Sequence, residues 1–190
     1  MVTAIGVAGS PRRSGNSATL LEAALDGARG AGATTSAVRL ADLDFEGCRA
    51  CARCAPEGEC TLTDALTPVF AALRLAHVWI LASPIYRDGL SGQFKCFFDR
   101  CSCWEGRNRL PGARRAAMIV TYEAAEREDY LKVAQTVPFY LGWMGDFGEV
   151  SVLVGSGLKG STDAAARPEL LERARETGRR LVEELASAGP

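Results

Sequence analysis

Residues 2–17 read VTAIGVAGSPRRSGNS, an apolar run followed at once by glycine, serine, proline, arginine and asparagine. The run at 2–9 contains the small and β-branched apolar residues that are typical of a buried strand. The segment 16–30 behind it has the apolar spacing of an amphipathic helix. A buried strand that passes through a short loop into a helix is the repeating unit of a parallel α/β sheet. This stretch therefore predicts the class of fold.

The same alternation of strand and helix continues along the chain. Further strands are predicted at 34–40, 77–83, 116–122 and 149–155, and helices at 16–30, 64–75, 91–103, 126–144 and 163–187. Nearly continuous apolar strands between helices favour a sheet that is covered on both faces. We expect an α/β, doubly wound, five-stranded parallel sheet in the flavodoxin-like order 2-1-3-4-5. Pro138 predicts a kink or a break in the fourth helix.

Composition limits the organisation and the partners. The 190 residues, 47% of them hydrophobic, suffice for one domain over 1–190, with a cysteine-rich loop at about 45–62. The formal net charge is −1 and the basic residues are scattered, so a nucleic-acid partner is not expected. We see neither a signal peptide nor an apolar stretch of membrane-spanning length. The expectation is a cytoplasmic protein without a membrane partner.

The loop after the first strand has the composition of a phosphate site. In an open α/β sheet, ligands bind at the carboxyl ends of the strands where the strand order reverses, and a helix N-terminus there attracts anions. Neither the dinucleotide fingerprint nor the P-loop pattern fits, since Asn16 stands where a P-loop needs lysine. A turn that simply caps the helix is the alternative. The candidate phosphate ligands are Ser10, Arg12 or Arg13, Ser14, Asn16 and Ser17.

The segment after the third strand suits a planar ligand. Residues 83–100 read SPIYRDGLSGQFKCFFDR. Pro84 is compatible with a sharp exit from the strand, and Tyr86 can lay an aromatic face on a ring. Gly89 and Gly92 allow the backbone to approach a ligand closely. Alone, this pattern also describes an ordinary turn with one tyrosine.

Together the two segments resemble the NAD(P)H-dependent FMN reductase branch of the flavodoxin-like superfamily. The matching residues are Gly9-Ser10-Pro11-Arg12, Gly15-Asn16-Ser17, Ser83-Pro84-Ile85-Tyr86, Ser91-Gly92, Phe94-Lys95, Phe97 and Asp99-Arg100. The resemblance implies a flavin-dependent oxidoreductase whose first loop holds the FMN phosphate. It also implies that the isoalloxazine ring lies against Pro84, Ile85 and Tyr86, and that a third contact loop contains Thr121, Tyr122 and Glu123. NAD(P)H would be the electron donor, stacked on the flavin.

A second motif lies after the second strand. Cys48, Cys51, Cys54 and Cys60 have the spacing C-x2-C-x2-C-x5-C. A 4Fe-4S cluster needs four thiolates, and a compact loop with two-residue spacers can supply them. Structural zinc and free or disulfide-forming thiols are the alternatives. The spacing resembles that of the iron-sulfur flavoprotein subgroup, which implies a cluster on these four residues and a homodimer or a dimer of dimers.

The remaining cysteines, Cys96, Cys101 and Cys103, lie on or just after a predicted helix and are expected to be small buried apolar residues.

Three functions remain open. The first is an iron-sulfur flavoprotein that relays electrons between FMN and a 4Fe-4S cluster. The second is an NAD(P)H-dependent reductase of flavin, quinone or nitro compounds without a cluster. The third is a non-catalytic electron carrier or redox sensor. The donor and acceptor, small molecule or protein, are not readable from the sequence.

Overall fold

The computed structural model describes residues 1–54, 57–125 and 128–187. The strands are β1 Thr3–Ala8, β2 Thr34–Arg39, β3 Val78–Tyr86, β4 Gly89–Leu90, β5 Leu110–Ala113, β6 Arg115–Thr121, β7 Gly145–Asp146 and β8 Ser151–Gly155. The five long strands are all parallel and lie in the order β2-β1-β3-β6-β8. This confirms the predicted order 2-1-3-4-5. The reversal of strand order falls between β1 and β3.

The helices are α1 Asn16–Gly30, α2 Thr67–Leu75, α3 Gly92–Arg100, α4 Glu128–Met144 and α5 Pro168–Ser187. They form two layers, one on each face of the sheet. The alternation of side chains along a strand supplies both layers. In β3, Trp79 and Leu81 belong to the core beneath α2, α3 and α4, while Val78 and Ile80 belong to the core beneath α1 and α5.

Helices α1 and α5 approach each other through two glycines. A Cβ atom built on Gly27 would lie 1.9 Å from the backbone oxygen of Arg175, and one on Gly178 would lie 1.8 Å from that of Ala24. Any larger side chain at either position would force the helices apart. The pair of glycines therefore sets the distance between these two helices.

The structure departs from the sequence predictions in three places. A kink or a break was expected at Pro138, and helix α4 continues through this residue without a break. The buried side chains of Val137 and Leu141 hold the helix to the core although one backbone hydrogen bond is lost. Residues 126–127 of the predicted helix lie outside the described residues. Helix α3 ends at Arg100 and gives way to a 3₁₀ turn at Cys101–Trp104. The short strands β4, β5 and β7 were not predicted.

The three cysteines outside the four-cysteine motif are only partly buried. Cys101 and Cys103 are in the core, as expected, but Cys96 is exposed. The change from α-helix to 3₁₀ turn at residue 101 breaks the seven-residue spacing that would place Cys96 and Cys103 on one helix face.

Candidate flavin site and cysteine loop

Three loops meet at the carboxyl edge of the sheet, at the point where the strand order reverses. They follow β1, β3 and β6. Ser91 joins the first two. Its hydroxyl donates to the Gly9 carbonyl oxygen at 2.6 Å and accepts from the Phe94 N–H at 3.3 Å, so it also caps α3. The Ser91 N–H donates to Ser83 Oγ at 3.0 Å. The two loops are consequently fixed relative to each other.

The N-terminus of α1 is open to an anion. Gly15 is the N-cap residue, so no side chain caps the first turn and its N–H groups point outward. The Ser10 hydroxyl accepts from the Arg12 N–H at 3.1 Å, which keeps its own proton available. Ser17 is buried in the first turn of α1. Ser14 is exposed at the rim of the loop.

The two arginines of this loop have different surroundings. Arg13 pairs with Asp42 at 3.3 Å, and Arg39 braces the loop by donating to the Arg13 carbonyl at 2.8 Å and to the Asp42 carboxylate at 3.0 Å. The hydrogen bond from Arg39 holds the pKa of Asp42 below its ordinary value. The Arg12 guanidinium has no ion-pair partner within the described ranges. Arg12 is thus the arginine of this loop that can meet a phosphate.

Asn16 has a structural task that the sequence did not indicate. Its amide nitrogen donates to the Gly160 carbonyl at 2.8 Å, and its amide oxygen accepts from the Ala164 N–H at 2.9 Å. Both ends of the side chain are therefore engaged with the segment between β8 and α5. Only the backbone N–H of Asn16 remains to face a ligand.

The hairpin after β3 presents the predicted ring contacts. Pro84 and Ile85 are buried, whereas Tyr86 is 42% exposed. Arg87 and Asp88 form the turn with φ angles of 49° and 60°, a left-handed conformation that is uncommon for residues other than glycine. Gly89 lines a cavity of about 540 Å³ beside this hairpin.

Thr121 ends β6 and Tyr122 follows it, and both are buried. The Tyr122 N–H donates to the Gly155 carbonyl at 3.0 Å, and its ring meets the edge of Tyr130 at a centroid distance of 4.7 Å. These contacts place both residues inside the third loop, with Glu123 exposed beyond them.

The cysteine loop projects from the same layer as α2 and α3. Cys48 and Cys51 are exposed, and Cys54 and Cys60 are half-buried. Ala50 and Ala52 have φ angles of 50° and 55°, so the loop winds through a left-handed conformation on either side of Cys51. A cavity of about 370 Å³ lies next to it, with Cys60, Cys103 and Trp104 in its wall.

The thiols of this region differ in their environment. A hydrogen bond from the Arg53 N–H lowers the pKa of Cys51, whereas burial raises the pKa of Cys54. Burial also raises the pKa of Cys103 to about 12, so this thiol stays protonated. Arg49, an arginine inside the cysteine loop, pairs with Glu46.

The donor set suits an iron-sulfur cluster in number and chemistry, since four sulfur atoms lie in one short loop. The other three thiols of the motif add electrostatically to the raised pKa of Cys54, of which burial is the main cause. Within residues 1–54, 57–125 and 128–187, however, no three potential ligands lie close enough to share a metal ion. Residues 55–56, inside the motif, are outside the described ranges.

Comparison with known proteins assigns the family. The model of the NADPH-dependent FMN reductase family matches residues 2–146. The chain belongs to this family. The family is described by NADPH-dependent reduction of FMN, so FMN is the ligand to compare with the site. The open helix end at α1 and the exposed ring of Tyr86 fit that ligand, since FMN combines a phosphate with a planar ring system.

The chain is also similar to two archaeal proteins described as iron-sulfur flavoproteins. An iron-sulfur flavoprotein of Methanocaldococcus jannaschii is 34% identical over 113 residues, which cover 57% of this chain and 58% of that protein. One of Archaeoglobus fulgidus is 31% identical over 117 residues, 62% of this chain and 53% of that protein. The chain thus spans about half the length of the curated relatives it matches.

Solved structures support the fold of this FMN reductase family member. An NAD(P)H:quinone oxidoreductase from Methanothermobacter marburgensis superimposes with a TM-score of 0.70 at 18% identity, covering 95% of this chain and 98% of the other.

No helix in the described parts of the chain is both long and apolar enough to cross a bilayer.

Proposed function

We propose that the protein is an FMN-dependent oxidoreductase that holds a 4Fe-4S cluster on Cys48, Cys51, Cys54 and Cys60 and relays electrons between the two cofactors. The observation that carries the proposal is the four-cysteine loop in a chain of the FMN reductase family whose matched relatives are iron-sulfur flavoproteins. Bound FMN would supply the redox chemistry, because flavins accept a hydride and pass electrons on singly.

The protein's own part is to bind and orient the flavin. In this proposal the first-turn N–H groups of α1, Ser10, Ser17 and the Arg12 guanidinium hold the phosphate, with Ser14 at the rim. The rings lie on the hairpin formed by Pro84, Ile85, Tyr86 and Gly89. The buried residues Thr121 and Tyr122 support the third loop of the flavin site from its interior. NAD(P)H is the proposed donor, and the acceptor is a small molecule or a redox protein.

Helix α3 connects the two proposed centres. It begins at the Ser91 cap, which is bonded to the first loop, and ends at Arg100, which is bonded to the cysteine loop. Its nine residues span about 13 Å. A rigid helix between the centres favours a fixed separation.

The decisive experiment is the absorption spectrum of anaerobically purified protein, with iron and acid-labile sulfide measured on the same sample. About four irons and four sulfides per chain beside a flavin spectrum would support the proposal. Flavin bands without iron would contradict it and favour the second candidate, an NAD(P)H-dependent flavin, quinone or nitro reductase. One observation favours this second candidate: among the described residues, no three potential metal ligands lie close enough together to share a metal ion.

The ligand assignment has its own test. Cys51→Ser should remove the cluster absorbance and leave FMN bound, because Cys51 is exposed and its side chain faces Thr61, at 3.9 Å, at the end of its own loop. Cys96→Ser is the matched control, since Cys96 is also an exposed thiol but lies outside the motif. A full iron complement in Cys51→Ser would contradict the assignment.

We also propose that the protein forms a homodimer, as the family resemblance implies. Phe139, Tyr140 and Trp143 of α4 are exposed, by 57%, 37% and 50%, and their rings contact one another. Such an aromatic cluster is typical of interfaces. Sedimentation analysis of wild type and Trp143→Glu tests this: the wild type should sediment as a dimer and the variant as a monomer. A monomeric wild type would contradict it.

A further inference from the structure

The cysteine loop is closed at its base by one buried side chain, that of Arg100. The guanidinium is fully buried, Nη1 donates to the Glu46 carbonyl oxygen at 3.2 Å, and Nη2 donates to the Leu62 carbonyl oxygen at 3.1 Å. Glu46 precedes the first cysteine of the motif, and Leu62 follows the last. One planar group therefore holds both stems of the loop together.

Asp64 fixes the orientation of this group. Its Oδ2 accepts from Arg100 Nη1 at 2.5 Å and from the Glu46 N–H at 3.2 Å, and its Oδ1 accepts from the Leu66 N–H at 3.0 Å. On the other side, the Arg100 guanidinium carbon lies 5.4 Å from the ring centroid of Phe70. Because a buried guanidinium keeps its charge and needs its partners, the group has little freedom to turn away.

One hydrogen-bond donor of Arg100 is left over. Its Nε is buried and has no hydrogen-bond partner in the part of the chain that the structure describes. The Cys60 sulfur lies beside the same guanidinium and contributes to its electrostatic environment. A buried donor without an acceptor is costly, and a thiolate or cluster sulfur at Cys60 would provide one.

We propose that Arg100 is the positioning residue of the cysteine loop: its buried guanidinium clamps residues 46 and 62 together. The clamp consists of contacts within the polypeptide and does not depend on a bound cluster. Its effect on a cluster rests on the proposed function, in which a charge-assisted hydrogen bond to a ligand sulfur stabilises the anionic centre.

Hydrogen–deuterium exchange of the full chain tests the clamp. Arg100→Lys keeps a charge but cannot bond both carbonyls, so amide exchange in 46–66 should rise about tenfold or more. Arg114→Lys is the matched control, because Arg114 is also buried and bonds the carbonyls of Arg74, Ala76 and Pro111 instead. Unchanged exchange in Arg100→Lys, or an equal rise in Arg114→Lys, would overturn the proposal.

Two further measurements separate the clamp from the cluster. If Arg100→Lys does not fold, Asp64→Asn is the substitute variant. It keeps the Arg100 guanidinium but removes the carboxylate that orients it, so the same rise in amide exchange is expected. In iron-loaded protein, a chelator should remove iron about tenfold faster from Arg100→Lys than from wild type or Arg114→Lys. Wild-type protein without iron would defeat the proposed function alone, because the exchange experiment still decides the clamp.

Discussion

At the scale of single residues, we expect the two neighbouring arginines of the first loop to differ in their contribution to FMN binding. Arg12→Ala should weaken FMN binding about tenfold or more, because a charge-assisted contact to the phosphate is lost. Arg13→Ala should change it little, since Arg13 is engaged with Asp42. Fluorescence titration with FMN, and with riboflavin as the ligand without phosphate, measures both. Equal losses in the two variants, or an equal loss for riboflavin in Arg12→Ala, would contradict the assignment.

Asp64 makes the stability depend on pH. Burial alone would raise its pKa, but the hydrogen bonds from Arg100 and from the Leu66 and Glu46 N–H groups, with the charge of Arg100, together outweigh burial, and the pKa lies below its ordinary value of 3.8. A lowered carboxyl pKa contributes stability that is complete above the unfolded-state pKa and is lost as the pH falls through the folded-state pKa. Asp64→Asn should therefore cost about 3 kcal/mol at pH 7, and its difference from wild type should shrink below about pH 4.

Urea unfolding between pH 7 and pH 3 measures this difference. Asp26→Asn is the control, because its ion pair with Arg29 is exposed on both sides and should be worth less than about 1 kcal/mol. A difference for Asp64→Asn that does not depend on pH would contradict the prediction.

At the scale of elements, the contact between α1 and α5 is the most sharply constrained. Gly27→Ala should destabilise the fold by about 3 kcal/mol, because the new methyl group would meet the backbone of α5. Gly30→Ala, in the same helix, meets no atom within 4 Å and should be neutral or gain up to about 1 kcal/mol. Urea unfolding of both variants measures the contrast, and similar costs at the two positions would contradict it.

The elements were largely predictable because the buried strands are continuous apolar runs. The sheet order and all five long strands followed from that pattern, and α1 was predicted with its observed bounds. Short elements such as β4 were not predictable, since two residues carry no periodicity. A kink or a break was expected at Pro138 from local chemistry, and α4 continues there without a break because its buried side chains pack on the core.

The site was predictable only in part. The composition of the loops indicated where a phosphate and a ring would bind, and the family motif included Ser91 and Arg100. Their roles depend on contacts over 82 and 54 positions in sequence, to Gly9 and Glu46. The same holds for Asn16, whose amide faces residues more than 140 positions away. No local pattern encodes such contacts, although a charged arginine in a helix of phenylalanines could have indicated a buried ion pair.

At the scale of the whole molecule, cofactor binding should stabilise the fold. FMN at 100 times its dissociation constant should add about 2.7 kcal/mol, which raises the melting temperature by about 5–10 °C for a chain of this length. Thermal unfolding of the protein before and after removal of the flavin measures the shift. Riboflavin at the same multiple of its own dissociation constant should give the same shift, and no shift with either ligand would contradict binding to the folded state.

The contacts of Asn16 also bear on the order of events during synthesis. The first residue of the helix that is expected to receive the phosphate is anchored to Gly160 and Ala164, and the flank of that helix packs on α5. These partners are synthesised more than 140 positions after Asn16. A nascent chain therefore lacks a settled phosphate site until this later segment has been made and has folded, and we expect flavin capture only from that point on.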